Sequence, residues 1–196
     1  MAIYMTYPDA LNLMQSWTTS ESLQRHMLAV AAAMRAYARK YGEDEEKWAM
    51  TGILHDFDYE KAPETHPYKG VEMLREMGYP EDVLDAIMGH ADDPQYPRKT
   101  RMAQALYAVD ELTGLITAAV YVRPDKSIYG LELPSLQKKF KDKAFAARVD
   151  RQGIIQGAEE LGVPLEEHLQ FVLEAMKAEA EVLGLVGSLR GESREG

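Results

Sequence analysis

The chain has 196 residues, 46% of them hydrophobic, with no cysteine and a formal net charge of −10. That length suits one helical domain with a substantial core, and the absence of any long apolar run leaves nothing to span a bilayer. The acidic balance argues against a nucleic-acid polymer or an anionic membrane as partner, while a small phosphorylated molecule stays compatible if positive charge is local.

The first residues, Met1-Ala2-Ile3-Tyr4-Met5-Thr6, lack the basic and apolar regions of a secretory leader, so a cytoplasmic location is expected. Thr18 with Glu21 reads as a capping box opening a helix in which Leu23, Met27, Val30, Met34 and Tyr37 repeat at helical spacing. Gly42 closes it, and His26 lies beside the stripe at the edge of the core. A second helix starts at Asp44, carries Trp48, Met50, Ile53 and Leu54, and ends in His55-Asp56. Its Gly52 leaves room for a neighbouring helix. Residues adjacent in a helix point about 100° apart, so both reach one cavity only near the helix end.

His66-Pro67 opens a third helix with Val71, Leu74 and Met77 as its buried face, and Gly78-Tyr79-Pro80 turns into a fourth. Val83, Leu84 and Ile87 bring His90 onto the apolar face of that fourth helix, which ends at Asp92-Asp93-Pro94. Residues 98–122 read as a fifth helix with Met102, Leu106 and Val109 inward and Asp110 beside them. A buried carboxylate there needs a partner, and a cation would supply one. Glu111 reads as a surface residue.

Arg123-Pro124 begins a loop, and Leu133-Pro134-Ser135 starts a short helix rich in lysine. Residues 138–151 hold six basic side chains against Asp142 and Asp150. Arg123 and Lys139 are candidates for holding substrate phosphate, since ammonium and guanidinium groups suit phosphate oxygens. Two more helices follow, the second running from Pro164 through Leu183, and residues 187–196 read as a mobile tail. His168, in the first turn of that second helix, falls outside the ligand set. Every useful apolar run has helical spacing, so the fold is expected to be all-α, with 121–122 and 128–129 as the places for a short hairpin.

His26, His55-Asp56, His66, His90 and Asp110 form an ordered set of nitrogen and oxygen donors. Such donors suit Mn, Fe, Co, Ni or Zn better than Mg or Ca. Six are more than one catalytic ion needs, because such an ion keeps positions open for water and substrate, so the set reads as binuclear.

The same ordered set resembles the HD superfamily of metal-dependent phosphohydrolases, and looks most like its small stand-alone bacterial members. The resemblance covers about residues 20–125 and implies an HD-type helical bundle as a single domain over 1–186, braced by C-terminal helices over about 134–186. It implies one metal at His26, His55, Asp56 and Asp110, and a second at His66 and His90, with Asp56 bridging. Two ions are expected, Fe or Mn ahead of Zn, Co or Ni. The implied reaction is hydrolysis of a nucleotide or other small phosphorylated molecule by a metal-activated hydroxide, with Asp56 and Asp58 as catalytic candidates. Phe57-Asp58 replaces the Ile-Gly of one large subgroup, so Asp58 either orients a water or a histidine, or terminates the helix. Gly78-Tyr79-Pro80 precedes His90 and makes a turn, unlike the tripeptide of the HD-GYP phosphodiesterases. Two other readings share the ligand set: an HD-type di-iron oxygenase and a non-catalytic nucleotide-binding module.

Overall fold

The computed structural model describes residues 5–187, so the expected tail from 188 onward lies outside the described residues. The fold is all-α: nine helices and a single 3-10 turn at Ile128–Gly130, with no strand among the described residues beyond an isolated bridge between Ser127 and Val186. That bridge and turn occupy the region where a hairpin had room to form.

Two helices of 21 residues, α2 (Glu21–Tyr41) and α6 (Arg101–Tyr121), pack against each other and form the spine. Each is about 30 Å long. On one side α3 (Glu45–Leu54) lies along α2, with α1 (Tyr7–Trp17) outside it. A Cβ at Gly52 would sit 2.9 Å from the Cα of Ala31, so glycine is what lets α3 approach α2 this closely. The short helices α4 (Tyr68–Glu76) and α5 (Glu81–Gly89) pack on each other, and α5 also packs on α6. Behind α6 lie α7 (Leu133–Lys141), α8 (Arg151–Leu161) and α9 (Leu165–Ala178). One continuous hydrophobic cluster runs from Ala10 and Met14 of α1 to Val172 and Met176 of α9.

Several local expectations change. Helix α1 was not anticipated, although Thr6 and Asp9 form a reciprocal capping box at its start. The cap of α2 is Ser20, whose side chain accepts from the Leu23 N–H, and not Thr18. Thr18 ends α1 instead, and its hydroxyl donates to the Phe57 carbonyl at 3.3 Å. Val71 and Leu74 are buried as expected, but Met77, past the end of α4, is 39% exposed. Helix α9 stops at Ala178, and Leu183 reaches the core from a turn.

Candidate metal centre

Three helices converge at one end of the spine. His26 comes from the second turn of α2, Asp110 from the middle of α6, and His55 is the residue that ends α3. Because α3 stops there, Asp56 sits in the turn that follows, near the helix end where adjacent side chains can reach one cavity. The turns of residues 55–67 then deliver His66, and the C-terminus of α5 delivers His90.

All four rings present Nε2 to the centre. His26 Nε2 lies 2.9 Å from Asp110 Oδ1, and His55 Nε2 lies 3.2 Å from the same oxygen. These two nitrogens are 3.3 Å apart. The Asp56 carboxylate divides its oxygens between two groups. Its Oδ2 is 3.1 Å from His55 and 3.5 Å from His26, while its Oδ1 is 3.1 Å from His66 and 3.2 Å from His90. Donor atoms of His26, His55, Asp56 and Asp110 lie within 4.8 Å of one another, as do those of Asp56, His66 and His90.

The opposite ring nitrogens are tied down. His55 Nδ1 donates to the Gly52 carbonyl at 2.7 Å, and His90 Nδ1 donates to the Ile87 carbonyl. Asp58 is buried and accepts a hydrogen bond from His66 Nδ1 at 2.6 Å, while its other oxygen accepts from the Gly70 N–H at 2.8 Å. A Cβ at Gly70 would come within 2.8 Å of the Asp58 carboxyl carbon, so the position has to be glycine for Asp58 to sit there. Of the two roles open to Asp58, the geometry selects orientation of a histidine. His26 is held more loosely, with Thr113 Oγ1 at 3.5 Å.

Lone pairs and carboxylate oxygens crowded this closely call for a cation. Burial disfavours a charged ring at His26, yet hydrogen bonds to Asp110 and Asp56 outweigh it and raise the ring to about 9. His66 is raised to about 9 by Asp56 and Asp58, again against burial. His55, fully buried, is held well above its ordinary value by the charges of Asp56 and Asp110. Burial would raise both carboxyls, but His55 and its neighbours hold Asp56 and Asp110 well below the carboxylate range. The carboxylates thus favour positive charge at this point. A divalent ion supplies the same charge while using the Nε2 lone pairs, and the fixed Nδ1 donors fit that use.

Above the cluster opens a cleft of about 440 Å³ whose wall includes Leu23, Tyr59, Ala91, Glu111 and Gly114. Tyr59 stands edge-on to His66 with centroids 5.4 Å apart. Neither phosphate-binding candidate lines this cleft. Arg123 forms two hydrogen bonds of 3.1 Å to Asp125, and the Lys139 ammonium sits 4.5 Å from the Phe145 ring centroid. The local pairings of these cations could not be read from the density of charge. Tyr59 and Glu111 are the wall residues that sequence reasoning passed over. Glu111 carried a weak signal in its place directly after Asp110. His168 is far from the ligand set and buried, with Nδ1 paired to the Tyr37 hydroxyl at 2.6 Å and Nε2 to the Ala108 carbonyl at 2.7 Å.

Residues 23–115 match the family described as HD domain. The chain is 28% identical over 121 residues to a Ribonuclease Y of Nitratidesulfovibrio vulgaris, covering 57% of this chain and 22% of that protein. It is 29% identical over 100 residues to the Ribonuclease Y of Oleidesulfovibrio alaskensis, covering 48% and 18%, and 25% identical over 163 residues to that of Lawsonia intracellularis, covering 78% and 31%. The chain therefore spans less than a third of the length of these relatives. No solved structure gives a significant match.

Proposed function

We propose that this chain, which carries an HD domain over residues 23–115, is a metal-dependent phosphohydrolase acting on a nucleotide or another small phosphorylated molecule. The observation that carries the reading is the division of Asp56: one oxygen faces His26 and His55, the other faces His66 and His90. In this reading His26, His55, Asp56 and Asp110 would hold one divalent ion, and Asp56, His66 and His90 would hold a second. Bound at such a site, divalent cations acidify water and neutralise charge growing on phosphoryl oxygens. Fe or Mn fits the mixed nitrogen and oxygen donors first, with Zn, Co or Ni as acceptable substitutes.

The protein's own groups do the positioning. Asp58, the Gly52 carbonyl and the Ile87 carbonyl keep the Nδ1 protons of His66, His55 and His90 in place, which leaves each Nε2 as a lone pair aimed inward. The cleft beside these residues, with Tyr59 and Glu111 among its wall residues, is where an ester would bind. In hydrolysis the oxygen of water forms the new bond to phosphorus, and the ester oxygen departs with a proton.

RNA is a second reading, supported by the name of the relatives. A cleft lined by histidines and carboxylates in a chain of net charge −10 suits a small ester better than a polyanion. The test is elemental analysis of protein purified without added metal, followed by a panel of phosphate monoesters, diesters and short RNA with oxygen uptake recorded in parallel. Release of phosphate or cleavage of a diester, abolished by chelation and restored by metal, is expected. Oxygen uptake without phosphate release would support the di-iron oxygenase, and binding without turnover would support a non-catalytic module.

A further inference from the structure

The cleft is short of positive charge. Neither lysine nor arginine is among its wall residues, and the charged side chain there outside the six converging residues is an acid, Glu111. Glu111 is exposed, one residue beyond Asp110 on α6, and its place is fixed. Its Oε2 accepts the peptide N–H of Asp150, the cap of α8, at 3.1 Å. Arg123 and Arg151 are engaged elsewhere. Arg123 is paired with Asp125. The Arg151 guanidinium faces backbone carbonyls from residues 139–149, among them Ala146 at 2.8 Å and Phe140 at 3.1 Å.

A substrate in this cleft therefore meets a positive site at one end only, once cations are bound, and a carboxylate on the wall beside it. A second anionic group on the substrate would find no cation among the wall residues and would be repelled by Glu111. A hydroxyl or ammonium group would donate to that carboxylate, and bonds to a charged acceptor are the stronger kind.

We infer that Glu111 is a specificity-determining carboxylate, restricting the site to esters with one phosphoryl group whose far end carries a hydroxyl or ammonium donor rather than a second anion. The inference rests on the phosphohydrolase reading, because that reading puts the phosphoryl group over the six converging residues.

The test uses two esters of nearly equal size, O-phosphoethanolamine and phosphoglycolate, titrated calorimetrically into the full metal-loaded chain. The wild-type protein is expected to bind the ammonium ester at least about tenfold tighter than the carboxylate ester. Glu111→Gln should reduce the preference to about twofold or less, and Glu111→Lys should invert it, with circular dichroism establishing that both variants are folded. Equal affinities in the wild type, no binding of either ester, or a ratio unchanged in both variants overturns the role of Glu111. Because binding is read apart from turnover, the two ideas fail separately. A preference without hydrolysis of any phosphate ester overturns the hydrolase reading, whereas hydrolysis without a preference overturns Glu111 as the determinant.

Discussion

The two groups that meet at Asp56 are built by different means. His26, Asp110 and His55 stand on α2, α6 and the end of α3, which pack through buried apolar faces and the close contact of Gly52 with Ala31. His66 stands in a turn, and His90 caps the C-terminus of the nine-residue helix α5. Their rings are aimed by polar contacts instead, His66 by Asp58 and His90 by the Ile87 carbonyl. The first group is thus positioned chiefly by core packing, with a hydrogen bond from His55 to the Gly52 carbonyl, and the second mainly by hydrogen bonds. A metal at the second position should bind more weakly and respond more to single substitutions.

The largest expected effect removes what the groups share. Asp56→Ala takes an oxygen from each, so bound metal should fall for both ions and activity should drop by about a thousandfold or more, since several kcal/mol of charge stabilisation disappear. Metal content by elemental analysis and steady-state kinetics would check it. Activity equal to wild type would contradict the bridging role.

Asp58→Asn separates the groups. The amide cannot hold the His66 Nδ1 proton as a carboxylate does, so affinity for the second ion should fall by about 10–100-fold while the first ion stays bound. Competition with a metal indicator at two affinities would resolve the two ions. Equal weakening of both would show that the second group is not separately held.

A last effect concerns His168 of α9, whose ring is bonded to the Ala108 carbonyl of α6. Burial lowers the His168 ring to about 4, with the Ala108 carbonyl bond acting the other way. The ring is therefore neutral when folded and takes up a proton on unfolding below its ordinary value near 6.5. Its contribution is fully present above that value and lost as pH falls, by about 3 kcal/mol at pH 4. Urea denaturation at pH 7 and pH 5 should show a larger acid-induced loss in the wild type than in His168→Gln. Equal losses would remove His168 from the support of α6.

The same contrast governs what could be read from residues. Helices with apolar repeats and glycine ends were legible, and so was the set of six side chains, because order along the chain and a shared chemistry mark them out. Helix α1 carries a capping signal at Thr6 and Asp9 that is as local as any other, but its apolar face is short. The cap at Ser20 was missed because Thr18 offers the same hydroxyl two residues earlier. The partner of Asp58 is His66, eight residues away through irregular turns, which periodicity cannot connect. Arg123 and Lys139 are not among the residues lining the cleft, and a run of basic residues records charge but not the neighbours that engage it. Glu111 is exposed as expected, but the cleft it lines exists only once α2, α5 and α6 are assembled.

The central claim is that two groups make two metal positions. Calorimetric titration of the metal-free protein with Mn²⁺ or Fe²⁺, beside the His66→Ala, His90→Ala double variant, tests it directly. Two ions per chain are expected in the wild type and one in the double variant, with the tighter ion retained. A stoichiometry of one in the wild type, unchanged in the double variant, would contradict the binuclear centre.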